Sequence, residues 1–440
     1  MVYTVNSNDR ILNMINRTLL TEIIHEQYRD LQSLPLGVER ESLSEVLNAI
    51  ALPHVVVITG MRRSGKSTLM LQASKRAFAE QVYYLDFEDE RLLDFTVDDF
   101  NLLYEVFVEV FGVRKVFFFD EIQVVNNWES YVRRMYKTGN KFIISGSNAD
   151  LLSSELSTKL TGRHVTIELL PFSFREYLKV SNNESVVTQP LLAVERGLLK
   201  QAFNQFSLLG GIPEYVRYQD ALITKNIYEN ILYKDVIVRY KIKEVKALRG
   251  LSLWLLSNPG ALISCGKLKN ILQLGSVNTV KDYIHYLENA YLIFTLEQYA
   301  FSVATQTLAP KKVYGVDTGL METLGFQFAK NSGKYLENIV YLELRRRYRD
   351  NHCLYYYKTK NNYEVDFCLR QGKKITQLIQ VTECLDNEGT REREIRALIT
   401  AMEELHLTGG LIITLDQTET LKIEGKTIQC VAIANWLLQD

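Results

Sequence analysis

GMRRSGKST, residues 60–68, decides how the first half of this chain is read. HVVVIT precedes it, a short β-branched run of the kind that forms a buried parallel strand, and STLMLQASKRAFA after the glycines has helical spacing. Strand, glycine-rich loop, helix is the order a phosphate-binding loop requires. Gly60 and Gly65 let the backbone turn its N–H groups around phosphates, and the helix that follows offers its positive N-terminus. Lys66 reaches the β- and γ-phosphates and Ser67 is placed for Mg²⁺. Gly60, Met61, Arg62, Arg63, Ser64, Gly65, Lys66, Ser67 and Thr68 are therefore the expected nucleotide-binding loop. Arg62 and Arg63 either add charge at the phosphates, face a neighbouring subunit or are solvated.

KVFFFDEIQ, residues 115–123, is an apolar strand that stops abruptly in two carboxylates. Alone it would equally describe a strand ending in a solvated acidic turn. Downstream of a phosphate-binding loop it reads as the second nucleotide motif: Asp120 for the Mg²⁺ shell, Glu121 as the base that orients or deprotonates water. The next strand, KFIISGSNADLL, ends in Ser145, Ser147 and Asn148. Ser147 and Asn148 are the candidates to sense a γ-phosphate beyond the strand ends. Arg163 stands just before HVTIELL and is a candidate finger, in cis or from a neighbouring subunit, with a structural ion pair as the alternative.

Composition fits a multidomain globular chain. At roughly 150 residues per domain, 440 residues make about three folded units. Lys plus Arg number 51 against 52 Asp plus Glu, so any nucleic-acid or anionic-membrane surface must be local. The five cysteines (265, 353, 368, 384, 430) are scattered without a CxxC pair, which points to reduced thiols and a cytoplasmic setting. MVYTVNSNDRILNM lacks the charged start and apolar run of a signal peptide, and no membrane span is expected.

GMRRSGKST, FFFDEIQVVNNW, IISGSNADLLSSEL, LTGRHVTIELLPFSFREYL and LLGGIPEYV, in that order, resemble a bacterial and archaeal family of AAA-type P-loop ATPases. Its members carry a C-terminal domain of unknown function with a restriction-endonuclease-like character. The resemblance runs from about residue 40 to near the end of the chain. It implies a AAA-type α/β core, ATP as nucleotide and Mg²⁺-dependent hydrolysis. No guanine-reading NKxD motif is evident.

The expected organisation is an N-terminal helical segment (1–38), the AAA-type core (39–170), a helical lid (171–244), a winged-helix-like module (245–305) and an endonuclease-like α/β domain (306–440). In the module, LIFTLEQY reads as hairpin-like, and the third helix carries Lys281, Asp282, His285 and Glu288 outward. So neutral a face favours protein or interdomain packing over DNA contact. In the last domain Glu337 and Asp366 fill two places of a helix-carboxylate, strand-Asp, (D/E)xK site, but the third reads Gln380-Val381-Thr382. An amide for a carboxylate and threonine for lysine predict weak metal binding and no fixed cation, hence a degenerate nuclease fold kept for binding. Arg345, Arg346, Arg347 and Arg349 are read as a phosphate-backbone contact or a solvated face. The functional expectation is an ATP-hydrolysing switch or motor that grips an unidentified protein partner, with no membrane contact and possible homo-oligomers. An ATP-gated nuclease and a nucleotide-dependent DNA-binding regulator are the alternatives.

Overall fold

Alternating helices and strands build the first part of the chain: α1 (Arg17–Ser33), α2 (Leu43–Ala51), β1 (Val55–Thr59), α3 (Lys66–Phe78), β2 (Tyr83–Asp86), α4 (Phe100–Phe111), β3 (Val116–Asp120), α5 (Trp128–Tyr136), β4 (Lys141–Gly146) and β5 (His164–Glu168). The strands form one parallel sheet in the order β2-β3-β4-β1-β5. The computed structural model describes residues 15–79, 81–149, 158–160, 162–181, 193–325, 332–348 and 353–439. The expected leaderless start, residues 1–14, lies outside them, as does Arg349.

A parallel sheet is covered on both faces, so its strands are apolar throughout, and alternate residues serve opposite cores. Val55 and Val57 join Phe117, Phe119 and Phe142 on one side. Val56 and Ile58 join Leu69, Met70 and Ile143 on the other. Leu20, Ile23 and Ile24 of α1 pack into the phenylalanine-rich core. Burying each such side chain is worth about 1.5–3 kcal/mol. Because every strand points the same way, Thr59, Asp86, Asp120, Gly146 and Glu168 all end on one edge, the edge where open α/β sheets hold ligands.

The contacts divide the chain into two units, Met1–Leu169 and Leu170–Asp440. The second begins with helices Phe174–Val180, Ala193–Leu209, Pro213–Tyr218 and Ala221–Asn230. The last of these runs into a π-helix, Ile231–Val238, within the stretch expected as a helical lid. Helices Val245–Ser257, Cys265–Ile271 and Val277–Asn289 follow. Next, β6 (Ile293–Leu296) pairs antiparallel with β7 (Lys312–Gly315), and Leu262 bridges Lys312.

LIFTLEQY thus supplies one strand, and the expected local hairpin does not form. After β6 the backbone bonds elsewhere: Tyr356 N–H donates to Glu297 O (3.0 Å) and Tyr299 N–H to Tyr356 O (2.7 Å), so β6 takes its partner from residues 312–315. The final sheet holds β8 (Leu354–Lys358), β9 (Glu364–Gln371), β10 (Lys374–Val381), β11 (Gly409–Thr414), β12 (Glu419–Ile423) and β13 (Lys426–Ala432), in the order β12-β13-β11-β10-β9-β8. Helices Ser332–Arg347 and Glu388–Glu404 accompany it.

Candidate functional site

Residues 60–65 turn tightly between β1 and α3. Gly60 has φ +155° and Gly65 +96°, and a Cβ on Gly60 would stand 2.2 Å from Leu169 O, so no side chain fits there. Arg63 also has positive φ (66°). Arg40 Nη1 donates to Ser64 O (2.7 Å) and braces the loop from outside. The turn aims the N-terminus of the 13-residue α3 along the sheet edge. Ser64 Oγ is buried with no partner, the kind of donor a bound oxyanion satisfies.

Lys66 folds back over this turn, its Nζ 3.1 Å from Gly60 O and Met61 O and 3.2 Å from Glu121 Oε1. Asp120 is hydrogen-bonded by the hydroxyls of Ser67, Ser145 and Tyr84, the last at 3.3 Å. Burial, joined by the Glu121 charge, pushes the Asp120 carboxyl up. At Glu121 burial acts in the same sense, but the Lys66 ammonium, the Gln123 amide and the Arg62 charge outweigh it and hold this carboxyl down at about 2. Glu121 is therefore ionised. Its backbone is left-handed (φ 50°), a conformation that costs a non-glycine residue about 1–3 kcal/mol. Ser145 Oγ accepts its N–H (3.1 Å), and its Oε2 accepts the Ser147 N–H (3.0 Å).

Lys66, Ser67, Asp120, Glu121 and Ser147 thus meet on one edge. Asn148, 2% exposed, follows Ser147 beyond the end of β4. Met61 is buried, and Thr68 lies in the first turn of α3. Arg62 is paired with Glu88 (2.7 Å). Arg163 does not join them. It precedes β5 at the N-terminal edge of the sheet, its guanidinium 5.7 Å from the Tyr136 ring, so the cis finger lies one strand length from the loop. Sequence reasoning passed over Asp86, the register partner of Asp120, which burial and then the Asp120 charge raise to about 7. The signal was present in YYLDFED, a second apolar strand ending in acids.

A second polar cluster lies in the other unit. Glu337, Asp366 and Gln380 come together as their order predicts, but around a cation the sequence reading lacked. Lys312 Nζ lies 3.0 Å from Glu337 Oε1, 2.9 Å from Asp366 Oδ1 and 2.8 Å from Glu364 Oε1, with its side chain 1% exposed. Burial opposes its charge, and the Asp366, Glu337 and Glu364 carboxylates overcome that, leaving the ammonium well above its usual range. Tyr314 OH donates to Glu337 (2.8 Å). Gln380 accepts from Asp366 N–H (3.2 Å) and donates to Glu394. A cleft of about 720 Å³ opens beside them, lined by Glu337, Glu364, Asp366, Gln380, Thr382 and Glu394. Among the described residues no group of three or more His, Cys, Asp or Glu is arranged to hold a metal ion. The expectation of no fixed cation is corrected: β7, which precedes the carboxylate helix in the chain, supplies it.

Arg345, Arg346 and Arg347, the described members of the arginine run, are half-buried and engaged within their own unit rather than presented as a solvated face. Arg346 donates to Pro171 O (2.9 Å) and Phe172 O (3.2 Å). Arg347 binds Glu343 and Trp436 O, and Arg345 lies 4.2 Å over the Phe294 ring. These side chains tie the helix Ser332–Arg347 to its own unit. In the three-helix segment Glu288 is also turned inward, accepting from Thr295 N–H and Oγ1 (3.0 and 2.6 Å), so the outward face loses that charge.

Residues 53–178 match the AAA domain family, and residues 200–332 and 332–436 match two domains of unknown function, DUF8612 and DUF4143. An uncharacterized protein of Methanocaldococcus jannaschii is 36% identical over 413 residues, 90% of this chain and 89% of that protein. An uncharacterized protein of Haemophilus influenzae is 29% identical over 420 residues, 91% and 99% of the two chains. Among solved structures, the AMPPCP-bound DnaA of Aquifex aeolicus aligns with 56% of this chain and 86% of its own at 16% identity, with a TM-score of 0.26. Among the described residues no helix is long and apolar enough to cross a membrane.

Proposed function

This chain belongs to a family of P-loop AAA proteins that carry C-terminal domains of unknown function, and we propose that it binds ATP with Mg²⁺ at residues 60–68 and hydrolyses it. The observation that carries the reading is the pairing along one sheet edge of Lys66 with Glu121 and of Ser67 with Asp120. The backbone of the loop and Ser64 Oγ fit a phosphate chain, and Lys66 neutralises it. Ser67 and Asp120 are the donor set for the metal, which when bound neutralises phosphate charge. Glu121, ionised and oriented by Ser147 N–H and Gln123, accepts the proton of a water. A Cβ on Gly60 would stand 2.2 Å from Leu169 O, so the loop lies against the chain just after β5 and a shift of the loop is felt there. We read the protein as a switch or motor in which turnover in the first unit sets how the second grips a macromolecule. The Lys312 cluster is a neutralised, binding rather than cutting, remnant of an endonuclease-like site.

Glu121→Gln tests the core of this reading. The variant is expected to keep ATP affinity while turnover falls by roughly 10²- to 10⁴-fold, the usual worth of a general base. Hydrolysis at the wild-type rate refutes the assignment.

A further inference from the structure

The chain is balanced overall, 51 basic against 52 acidic residues, but the stretch from Lys234 to Lys281 holds nine basic and two acidic residues. Lys234, Lys241, Lys243, Lys246, Lys267 and Lys281 are exposed. The structure arranges this charge around one helix, Val277–Asn289. Its Val280, Tyr283, Ile284 and Leu287 are buried, and at about 100° per residue Asn278, Lys281, Asp282 and His285 fall together on the opposite side, all exposed. Glu288, the second acid of this helix face, is taken up by Thr295.

Both flanks of that face are basic. On one, the Tyr240 ring stacks on Tyr286 (3.8 Å, 11°) and its OH accepts from Asn289 Nδ2 (3.2 Å), which fixes the segment carrying Lys241, Lys243 and Lys246 alongside the helix. On the other lies the helix Cys265–Ile271 with Lys267 and Lys269, close enough that Lys281 acts on the Cys265 thiol against the burial that raises it. Two short helices joined by a turn at 272–276, with Leu262, β6 and β7 forming a small sheet behind, present the second helix by its N-terminal half.

We propose that this surface binds duplex DNA, with the helix Val277–Asn289 in the major groove and the flanking lysines on the phosphates either side. The groove is about 12 Å wide and admits one helix, and its walls are the phosphate rows that two basic flanks match. Asn278 is suited to an adenine edge and Asp282 to a cytosine amino group. Single-stranded RNA would need open aromatic faces for stacking, and here Tyr240 and Tyr286 cover each other. The inference stands on the second unit alone and uses nothing of the nucleotide chemistry.

Fluorescence anisotropy of the full chain with a labelled duplex, over a salt series, tests it. Binding is expected to weaken steeply with salt, and the triple variant Lys241→Gln, Lys243→Gln, Lys246→Gln should lower the slope of log affinity against log salt by about 2.7, the share of three phosphate contacts. Lys422→Gln, an exposed lysine on β12, should leave the slope unchanged. Asn278→Ala should change the preference among duplex sequences by roughly 5- to 150-fold. All of these variants should hydrolyse ATP at the wild-type basal rate, so a failure here is separable from a failure of the ATPase reading. Absence of duplex binding at the lowest salt, a triple-variant slope equal to wild type, or tighter binding of single-stranded RNA or polyglutamate would overturn the proposal.

Discussion

Lys66 in the first unit and Lys312 in the second are both buried and both meet carboxylates, yet their surroundings differ in kind. Lys66 holds one carboxylate and two backbone carbonyls, and close by Ser64 Oγ and Gln123 Oε1 are buried without partners. Lys312 lies within 3.0 Å of three carboxylates, and Tyr314 and Gln380 occupy further oxygens and amide groups of the same network. Buried polar groups left unmade are costly unless something else completes them. An incomplete network around a cation therefore marks a place for a ligand, and a complete one marks a place where the protein has balanced its own charge.

The comparison breaks most sharply at Lys66. Lys66→Ala removes the ammonium that folds over the loop carbonyls and pairs with Glu121, and calorimetry should find tight ATP binding abolished with the fold intact. Retained affinity would mean that the loop is not the site. Lys312→Met should do the reverse, sparing ATP affinity and destabilising the second unit by about 3–5 kcal/mol, the usual result of leaving buried charges uncompensated. Chemical denaturation would read it, and adding Glu337→Gln should restore part of the loss. The pH dependence follows from burial, which already raises the Glu337 carboxyl. Without the ammonium it rises further, and a carboxyl whose folded value exceeds its unfolded one contributes stability that is lost as pH climbs. The deficit should thus be small in acid and grow toward neutral pH; a constant deficit would show that Lys312 acts through packing.

The parallel core was legible because it is written locally. HVVVIT, KVFFFDEIQ and KFIISGS are each a strand with its terminal polar residues attached, and one edge of the sheet collects them. The second unit was less legible because its pairings are distant. β6 finds β7 rather than its neighbour in sequence, and Lys312 reaches Asp366 across 54 positions, so no motif of fixed spacing announces it. VFFFDE announced itself by ending in two adjacent acids, whereas Lys312, the second of two lysines in APKKVYG, looks like any surface lysine until the helix Ser332–Arg347 closes over it. The arginine run misled for a related reason: charge on a helix is usually solvated, and here Pro171, Phe172 and Trp436 turn their carbonyls toward it.

The smallest effect is expected at Arg163, a cation that meets neither kind of network. Its carbonyl accepts from Val55 N–H (3.0 Å) at the start of β1, and β1 and β5 run in parallel register from there to Thr59 and Glu168. Five residues of strand, about 16 Å, separate it from the loop edge. An exposed contact with Tyr136 is worth about 0.5–1 kcal/mol. Arg163→Ala should then leave nucleotide affinity unchanged and the ATPase rate within about twofold in dilute protein, since a screened charge at that distance contributes little to a transition state. A finger supplied to a neighbouring copy predicts something different. The variant would fall behind wild type only as protein concentration rises, and mixing it with Lys66→Ala protein would restore turnover at shared interfaces. A large, concentration-independent loss would place Arg163 beside the loop and contradict the sheet register.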